Sequence, residues 1–361
     1  MPSPIADLEL RHLLAQISDR EGLESHLQQS GRSLYCGFDP TAPSLHIGSL
    51  VPLLTLRRFQ LAGHSPIALV GGATGLIGDP SGRVDERGLN DVDVVRGWGE
   101  RLSQQVSRFI DLDGTYAARV VDNLEWTSPL DALGFLRDIG KHFSVNAMMQ
   151  RDSVKNRLGR EGDGISYTEF SYMLLQAYDF LELSRRYQCT IQVGGSDQWG
   201  NMISGIDLIR RVDGQQAFVL TVPLITRSDG LKFGKTADGA IWLDPDMTSP
   251  YRFYQFWLNS ADEDVVPFLG YFTFLDSSVI ADAATELRDR PGERAAQRLL
   301  AREVTLLAHG QRALSSAQRI TAALFGGAVA DLKHEDLQQL QLDGMDSTSV
   351  ENEEELLTAL V

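Results

Sequence analysis

Ser33-Leu-Tyr-Cys-Gly-Phe38, followed by Asp39-Pro-Thr-Ala-Pro-Ser-Leu-His-Ile-Gly-Ser49, sets the reading of the chain. A strand-like run enters a loop with two prolines, and a helix-like stretch, Leu45–Ala62, takes over. A helix N-terminus presents unpaired N–H groups, and Gly48 allows a flat or anionic ligand to approach the backbone. An ordinary strand–loop–helix with a solvent histidine is the plainer reading of this piece alone. The alternation recurs, with strands expected at Pro66–Val70, Arg119–Val121, Thr190–Val193 and Phe218–Ile225. Helices are expected at Val92–Phe109, Leu130–Ile139, Thr168–Arg186 and Trp199–Arg211. Short apolar runs alternating with helical stretches mark a parallel α/β sheet, here assigned to residues 1–245.

The pattern changes after Trp242-Leu-Asp-Pro245. Apolar residues then recur at helical spacing, as in Ala295–Leu307, so residues 246–325 read as an all-helical domain. Gly326-Gly327 ends it, and residues 326–361 read as an acidic linker or tail. From Asp331 onward nine acids face only Lys333, which accounts for half of the net charge of −16. So acidic a chain does not coat nucleic acid indiscriminately. Two cysteines, Cys36 and Cys189, exclude a disulfide-stapled scaffold. The first residues hold neither a membrane-length apolar run nor a signal pattern, so a cytoplasmic location with no membrane partner is expected.

Four further segments carry polar groups where a ligand site would need them. Gly71-Gly-Ala-Thr-Gly-Leu-Ile-Gly-Asp79-Pro-Ser-Gly-Arg83 follows the strand Pro66–Val70 and is either a ligand loop or a tight turn. It lacks both the Walker A and the GxGxxG spacing. Tyr172, Gln176 and Asp179 fall on one helical face, and that stripe holds no Lys or Arg. It is either a solvated stripe or a face that hydrogen-bonds a small polar substrate. Gly194-Gly-Ser-Asp-Gln-Trp-Gly-Asn201 places amides and a carboxylate at another strand end. Leu231-Lys-Phe-Gly-Lys-Thr236 lies between Asp-Gly turns and suits either a phosphate clamp or a basic surface loop. The seven histidines lack zinc-site spacing, so no protein-bound metal or organic cofactor is expected.

Taken in order, these segments resemble the class I aminoacyl-tRNA synthetases, and within them the bacterial-type tyrosyl-tRNA synthetases. His46-Ile-Gly-Ser49 stands where that family has HIGH, and Lys232-Phe-Gly-Lys-Thr236 where it has KMSKS. The similarity runs from Arg32 to Phe325. It implies a Rossmann-like catalytic domain with a dimer-forming insertion at about residues 130–167, then the smaller helical domain. It also implies ATP-dependent activation of L-tyrosine and transfer to tRNA(Tyr), with ATP and Mg2+ as the only additions. Tyr35 and Asp179 would meet the substrate phenol, Asp79, Tyr172 and Gln176 its ammonium, and Gln198 its carboxylate. ATP would lie against Cys36, Gly37, Asp39, His46, Gly48, Gly195, Asp197 and Lys235. Thr41, His46, Lys232, Lys235 and Thr236 would serve the transferring phosphates.

A homodimer is implied, with Phe135, Ile139, Phe143, Val145 and Met148 supplying either its contact or a private core of the insertion. Arg210-Arg211 is read as a contact for the tRNA acceptor stem or as a solvated helix end. Two departures stand out. Ser49 replaces the second histidine of HIGH, and the basic RNA-binding module usual after the helical domain is absent before Val361. The rival functions are a class I synthetase for tryptophan and a synthetase-derived, non-catalytic RNA-binding or regulatory protein. Lys232, Lys235, Asp79 and Gln176 are all present, which favours the enzyme.

Overall fold

The computed structural model describes residues 3–79, 81, 90–151, 154–155, 165–226, 228, 230, 233–236 and 239–345, without the side chains of Lys235 and Thr236. Lys232, Gly82, Arg83, part of the insertion and the acidic residues from Asp346 on lie outside the described residues.

Six strands form one sheet: β1 (Gln16–Ile17), β2 (Ser33–Phe38), β3 (Ser65–Val70), β4 (Arg119–Asp122), β5 (Cys189–Gly195) and β6 (Phe218–Val222). Their order is β1-β6-β5-β2-β3-β4, with only β1 antiparallel. From β2 the chain proceeds to β3 and β4 on one side, and from β5 to β6 on the other. The order therefore reverses between β2 and β5, where open α/β sheets leave a crevice at their carboxyl edge. This is the parallel α/β sheet expected from the alternation, in the Rossmann-like arrangement that the resemblance implies.

Several boundaries differ from expectation for local reasons. β6 stops at Val222 rather than Ile225, since Pro223 has no N–H to continue the ladder. The helix expected from Leu45 begins at Leu50 and runs to Leu61. Before it, His46 is extended and its Nδ1 accepts the Gly48 N–H at 3.0 Å, opening a 3₁₀ turn at Ile47–Ser49. Leu130–Ile139 is not one α-helix. Asp131 caps a short turn at Ala132–Gly134, which passes into a π-turn over Phe135–Ile139.

Side chains alternate across β2. Tyr35 joins Ile67, Leu69, Phe180, Leu181, Met202, Ile209 and Val219 in a core shared with the helices Tyr167–Tyr187 and Trp199–Asp213. Each large apolar side chain buried there contributes about 1.5–3 kcal/mol. The helix Leu50–Leu61 packs against β2, β3 and β5.

The chain divides into two compact units, Met1–Lys235 with Gly270–Phe272, and Thr236–Leu269 with Thr273–Val361. The division falls ten residues earlier than the composition change at Pro245 implies. Within the second unit, Phe253, Trp257, Leu300, Val304, Ala317 and Ile320 are buried among the helices Pro250–Leu258 and Ala295–Leu324. The segment read as an acidic tail is folded over part of its length, because it contains the helix His334–Leu342. Asp336 is fully buried there and accepts from the Ser316 hydroxyl, the Lys333 N–H at 2.9 Å and the Arg319 guanidinium at 2.9 and 3.0 Å. Gln339 accepts the Tyr251 N–H at 3.0 Å, and Asp343 accepts from the Ser249 hydroxyl.

Asp336→Ala removes the acceptor of the buried Ser316 hydroxyl and of the part-buried Lys333 N–H, and an orphaned buried group costs about 1–3 kcal/mol. Denaturant titration is expected to show a destabilised second unit, with proteolysis opening first around residues 334–342.

Candidate active site

A cavity of about 220 Å³ opens at the carboxyl ends of β2 and β5, where the strand order reverses. Tyr35, Cys36, Gly37, Asp39 and Thr41 reach it from β2 and its loop, and Thr74 and Asp79 from the loop after β3. The helix Tyr167–Tyr187 supplies Tyr172, Gln176 and Asp179, and β5 with its loop supplies Gln192, Gly195 and Gln198. The polar helical stripe thus turns inward: Tyr172 and Asp179 are 6% and 3% exposed. Tyr35 and Cys36 point to opposite faces of β2, yet both line the cavity. The space passes over the sheet edge, from Tyr172 on one side to Pro52 on the other.

At the deep end, the Asp179 carboxylate accepts from Trp126 Nε1 at 2.8 Å and Asn123 Nδ2 at 3.0 Å. Burial raises its pKa to about 7, against the pull of those two donors. The Tyr35 hydroxyl lies in its field and is buried. That hydroxyl and Gln192 Oε1 have no hydrogen-bond partner among the described residues. Orphaned buried polar atoms beside a cavity are the imprint of a polar ligand.

A hydrogen-bonded chain connects the deep end to the mouth. Asn123 Nδ2 also meets Thr74 Oγ1 at 3.0 Å, Thr74 donates to Asp39 Oδ1 at 2.7 Å, and the Tyr172 hydroxyl donates to Asp39 Oδ2 at 2.7 Å. Burial, reinforced by Asp39 and Asp79, pushes the Tyr172 phenol well above its ordinary range, so it stays a donor. Gly71 is required here, since a Cβ would stand 1.9 Å from Asp39 Oδ1. On the opposite wall, Gln198 Nε2 donates to Asp79 Oδ2 at 2.5 Å. Asn201 Nδ2 donates to Gln176 Oε1 at 3.0 Å and meets Gln198 Oε1 at 3.5 Å.

His46, Gly48 and Asp197 do not line this cavity. His46 instead holds the turn beside it and is exposed. Gly234, which lies between Lys232 and Lys235 in sequence, reaches that same turn. Gly234 has a φ of +83°, and a Cβ there would come 2.9 Å from Ile47 Cγ1.

Asn123, Trp126, Thr74, Gln192 and Asn201 were not singled out from the sequence. Thr74 and Asn201 sit within two of the quoted segments, and Asn123 follows β4 at the same sheet edge. Gln192 is an amide inside an otherwise apolar strand, a readable anomaly. Trp126 gave no signal, because its role depends on where the helix Tyr167–Tyr187 lies.

Residues 28–326 match the family model of tRNA synthetases class I (W and Y). The tyrosine–tRNA ligase of Aliivibrio salmonicida is 55% identical over 358 residues, 99% of this chain and 84% of that protein. That of Aeromonas hydrophila is 55% identical over 361 residues, 100% of this chain and 85% of its own length. Among solved structures, a C-terminally truncated mitochondrial tyrosyl-tRNA synthetase from Aspergillus nidulans superposes with a TM-score of 0.82 at 31% identity. It covers 90% of this chain and 95% of its own.

The Asp179 carboxyl titrates near 7 in the folded chain and near 4 when unfolded. Its contribution to stability is therefore full below the unfolded value and is lost as pH rises through 7. Ligand-free protein is expected to lose stability between pH 4 and 7, with a slope of up to about 1.4 kcal/mol per pH unit from this group. Denaturant titrations across that range should show the slope reduced in Asp179→Asn.

Proposed function

The chain belongs to the class I tRNA synthetases for tryptophan and tyrosine, and from that membership we propose how its own residues carry the chemistry. The reaction is ATP-dependent activation of L-tyrosine, followed by transfer of the tyrosyl group to tRNA. The observation that carries the residue assignment is the unpartnered Tyr35 hydroxyl buried beside Asp179. A phenol entering the deep end donates to the Asp179 carboxylate and accepts from Tyr35. Phenylalanine would leave the Tyr35 hydroxyl unpaired, at a cost of about 1–3 kcal/mol, and would withhold a third donor from Asp179.

At the mouth, Asp79 with the oxygens of Gln176 and Tyr172 forms the acceptor set for the ammonium group. Gln198 offers its amide N–H to the carboxylate. The ATP ribose lies toward Cys36, Gly195 and Asp197, with Gly37, Asp39 and Gly48 along the nucleotide path. Magnesium enters with the triphosphate as part of the substrate. The tyrosine carboxylate attacks the α-phosphorus, pyrophosphate leaves, and a tRNA ribose hydroxyl then takes the acyl group. No protein nucleophile takes part, so the chain's work is to orient the partners and stabilise charge on the departing pyrophosphate. Thr41 and His46 serve that charge from the turn before Leu50. Lys232, Lys235 and Thr236 serve it from the loop that Gly234 brings against Ile47. The close Gly234 approach supports this pairing of loops.

The insertion supports a homodimer. Ile139 and Met148 are buried and Phe143 packs with them, which accounts for a private core. Leu133, Leu136, Val145 and Met149 remain exposed, an apolar set suited to a second copy. Arg210 and Arg211 are bound to Asp207 and to the His142 carbonyl, and would exchange those partners for acceptor-stem phosphates. No helix among the described residues is long and apolar enough to cross a membrane. A cytoplasmic site of action suits a tRNA-charging enzyme.

Amino-acid-dependent ATP–pyrophosphate exchange tests the assignment. Tyrosine alone among tyrosine, phenylalanine and tryptophan is expected to support exchange. Tyr35→Phe should lower kcat/KM for tyrosine about tenfold, and Asp179→Ala by about a hundredfold or more. Undiminished tyrosine selectivity in both variants would sink the deep-end reading. Gly234→Ala, which forces a side chain against Ile47, is expected to slow exchange while tyrosine binding, followed by calorimetry, is retained.

A further inference from the structure

We propose that Asn201 is a positioning residue that sets which way the substrate-facing amides of Gln176 and Gln198 point. The inference rests on the proposed roles of those two glutamines and extends them. Asn201 is 4% exposed, sits in the first turn of the helix Trp199–Asp213, and does not line the cavity. Its Nδ2 faces Gln176 Oε1 at 3.0 Å and Gln198 Oε1 at 3.5 Å. The two ends of a primary amide are nearly equal in size, so only hydrogen-bond partners decide its orientation. One shared N–H2 group draws both glutamine oxygens toward itself.

The consequence is sharpest for Gln198. With its oxygen held by Asn201, its nitrogen faces Asp79 Oδ2 at 2.5 Å. Its N–H2 serves Asp79 and also interacts with the Asp197 carboxylate, and the tyrosine carboxylate would take over the latter N–H. Gln198 thus stands as a double donor between two anions that would otherwise repel. Turned over, it would aim its oxygen at both. For Gln176, Asn201 occupies one lone pair of Oε1 and leaves the second for the ammonium.

Replacing the donor by an acceptor inverts this arrangement, because Asn201→Asp attracts the N–H2 ends of both glutamines. Steady-state pyrophosphate exchange on the full chain should show Asn201→Asp raising KM for tyrosine about tenfold or more, and Asn201→Ala a few-fold. KM for ATP should change less than twofold in both. The decisive arm repeats each substitution in a Gln176→Ala/Gln198→Ala background, where it should have no further effect on KM for tyrosine. An equal penalty in both backgrounds overturns the proposal, since a bare charge effect or a packing defect acts without the glutamines. A matching rise in KM for ATP overturns it too. If Asn201→Asp does not fold, Asn201→Ala completes the cycle alone. Should Gln176→Ala and Gln198→Ala themselves leave KM for tyrosine unchanged, the underlying assignment of the glutamines fails, a result distinct from failure of the Asn201 coupling.

Discussion

Everything in the first unit depends on β2 and β5 lying side by side in parallel while their chains depart in opposite directions. Parallel strands end together, so the loops after β2 and β5 must diverge, and a crevice opens between them. The register sets Tyr35 opposite Gln192, which puts a phenol and an amide on the same face. The helix Tyr167–Tyr187 closes that face and delivers Asp179, Gln176 and Tyr172 along one stripe. A one-residue slip of β5 would turn Gln192 to the other face and remove half of this pairing.

Polarity in such a place is costly, and the chain meets the cost unevenly. Asp179 has two donors, Asp39 is held by Thr74 and Tyr172, and Asp79 takes Gln198. Tyr35 and Gln192 are left without partners. The satisfied groups form a rigid lattice that fixes the shape of the space. The unsatisfied ones mark where something polar is to arrive. Rigidity and incompleteness come from the same residues, which is how a preformed site differs from a well-packed core.

The parallel sheet and the helical second unit were legible in the sequence because each rests on local periodicity. So was the polar stripe of Tyr172, Gln176 and Asp179, since spacing alone puts them on one face. Spacing could not say whether that face met solvent or a cavity. Asn123, Trp126 and Asn201 stayed hidden for a related reason, as each acts through a partner distant in sequence or on another element. Trp126 is 53 residues from the carboxylate it holds. The helix His334–Leu342 was missed because acidic composition was read as solvation, whereas Asp336 is buried against Arg319 and Ser316. Charge count describes a segment's average environment and says nothing of one carboxylate with three donors.

That last helix has a mechanical consequence. Gln339 and Asp343 are pinned to Tyr251 and Ser249, at the start of the helix Pro250–Leu258. Whatever chain continues past Met345 is therefore tethered at a defined point rather than swinging from residue 326. Spans to anything joined beyond that point are measured from Met345 and not from Gly326, and effective concentration follows the shorter span. The docked helix thus acts as a geometric reference for whatever follows it in sequence.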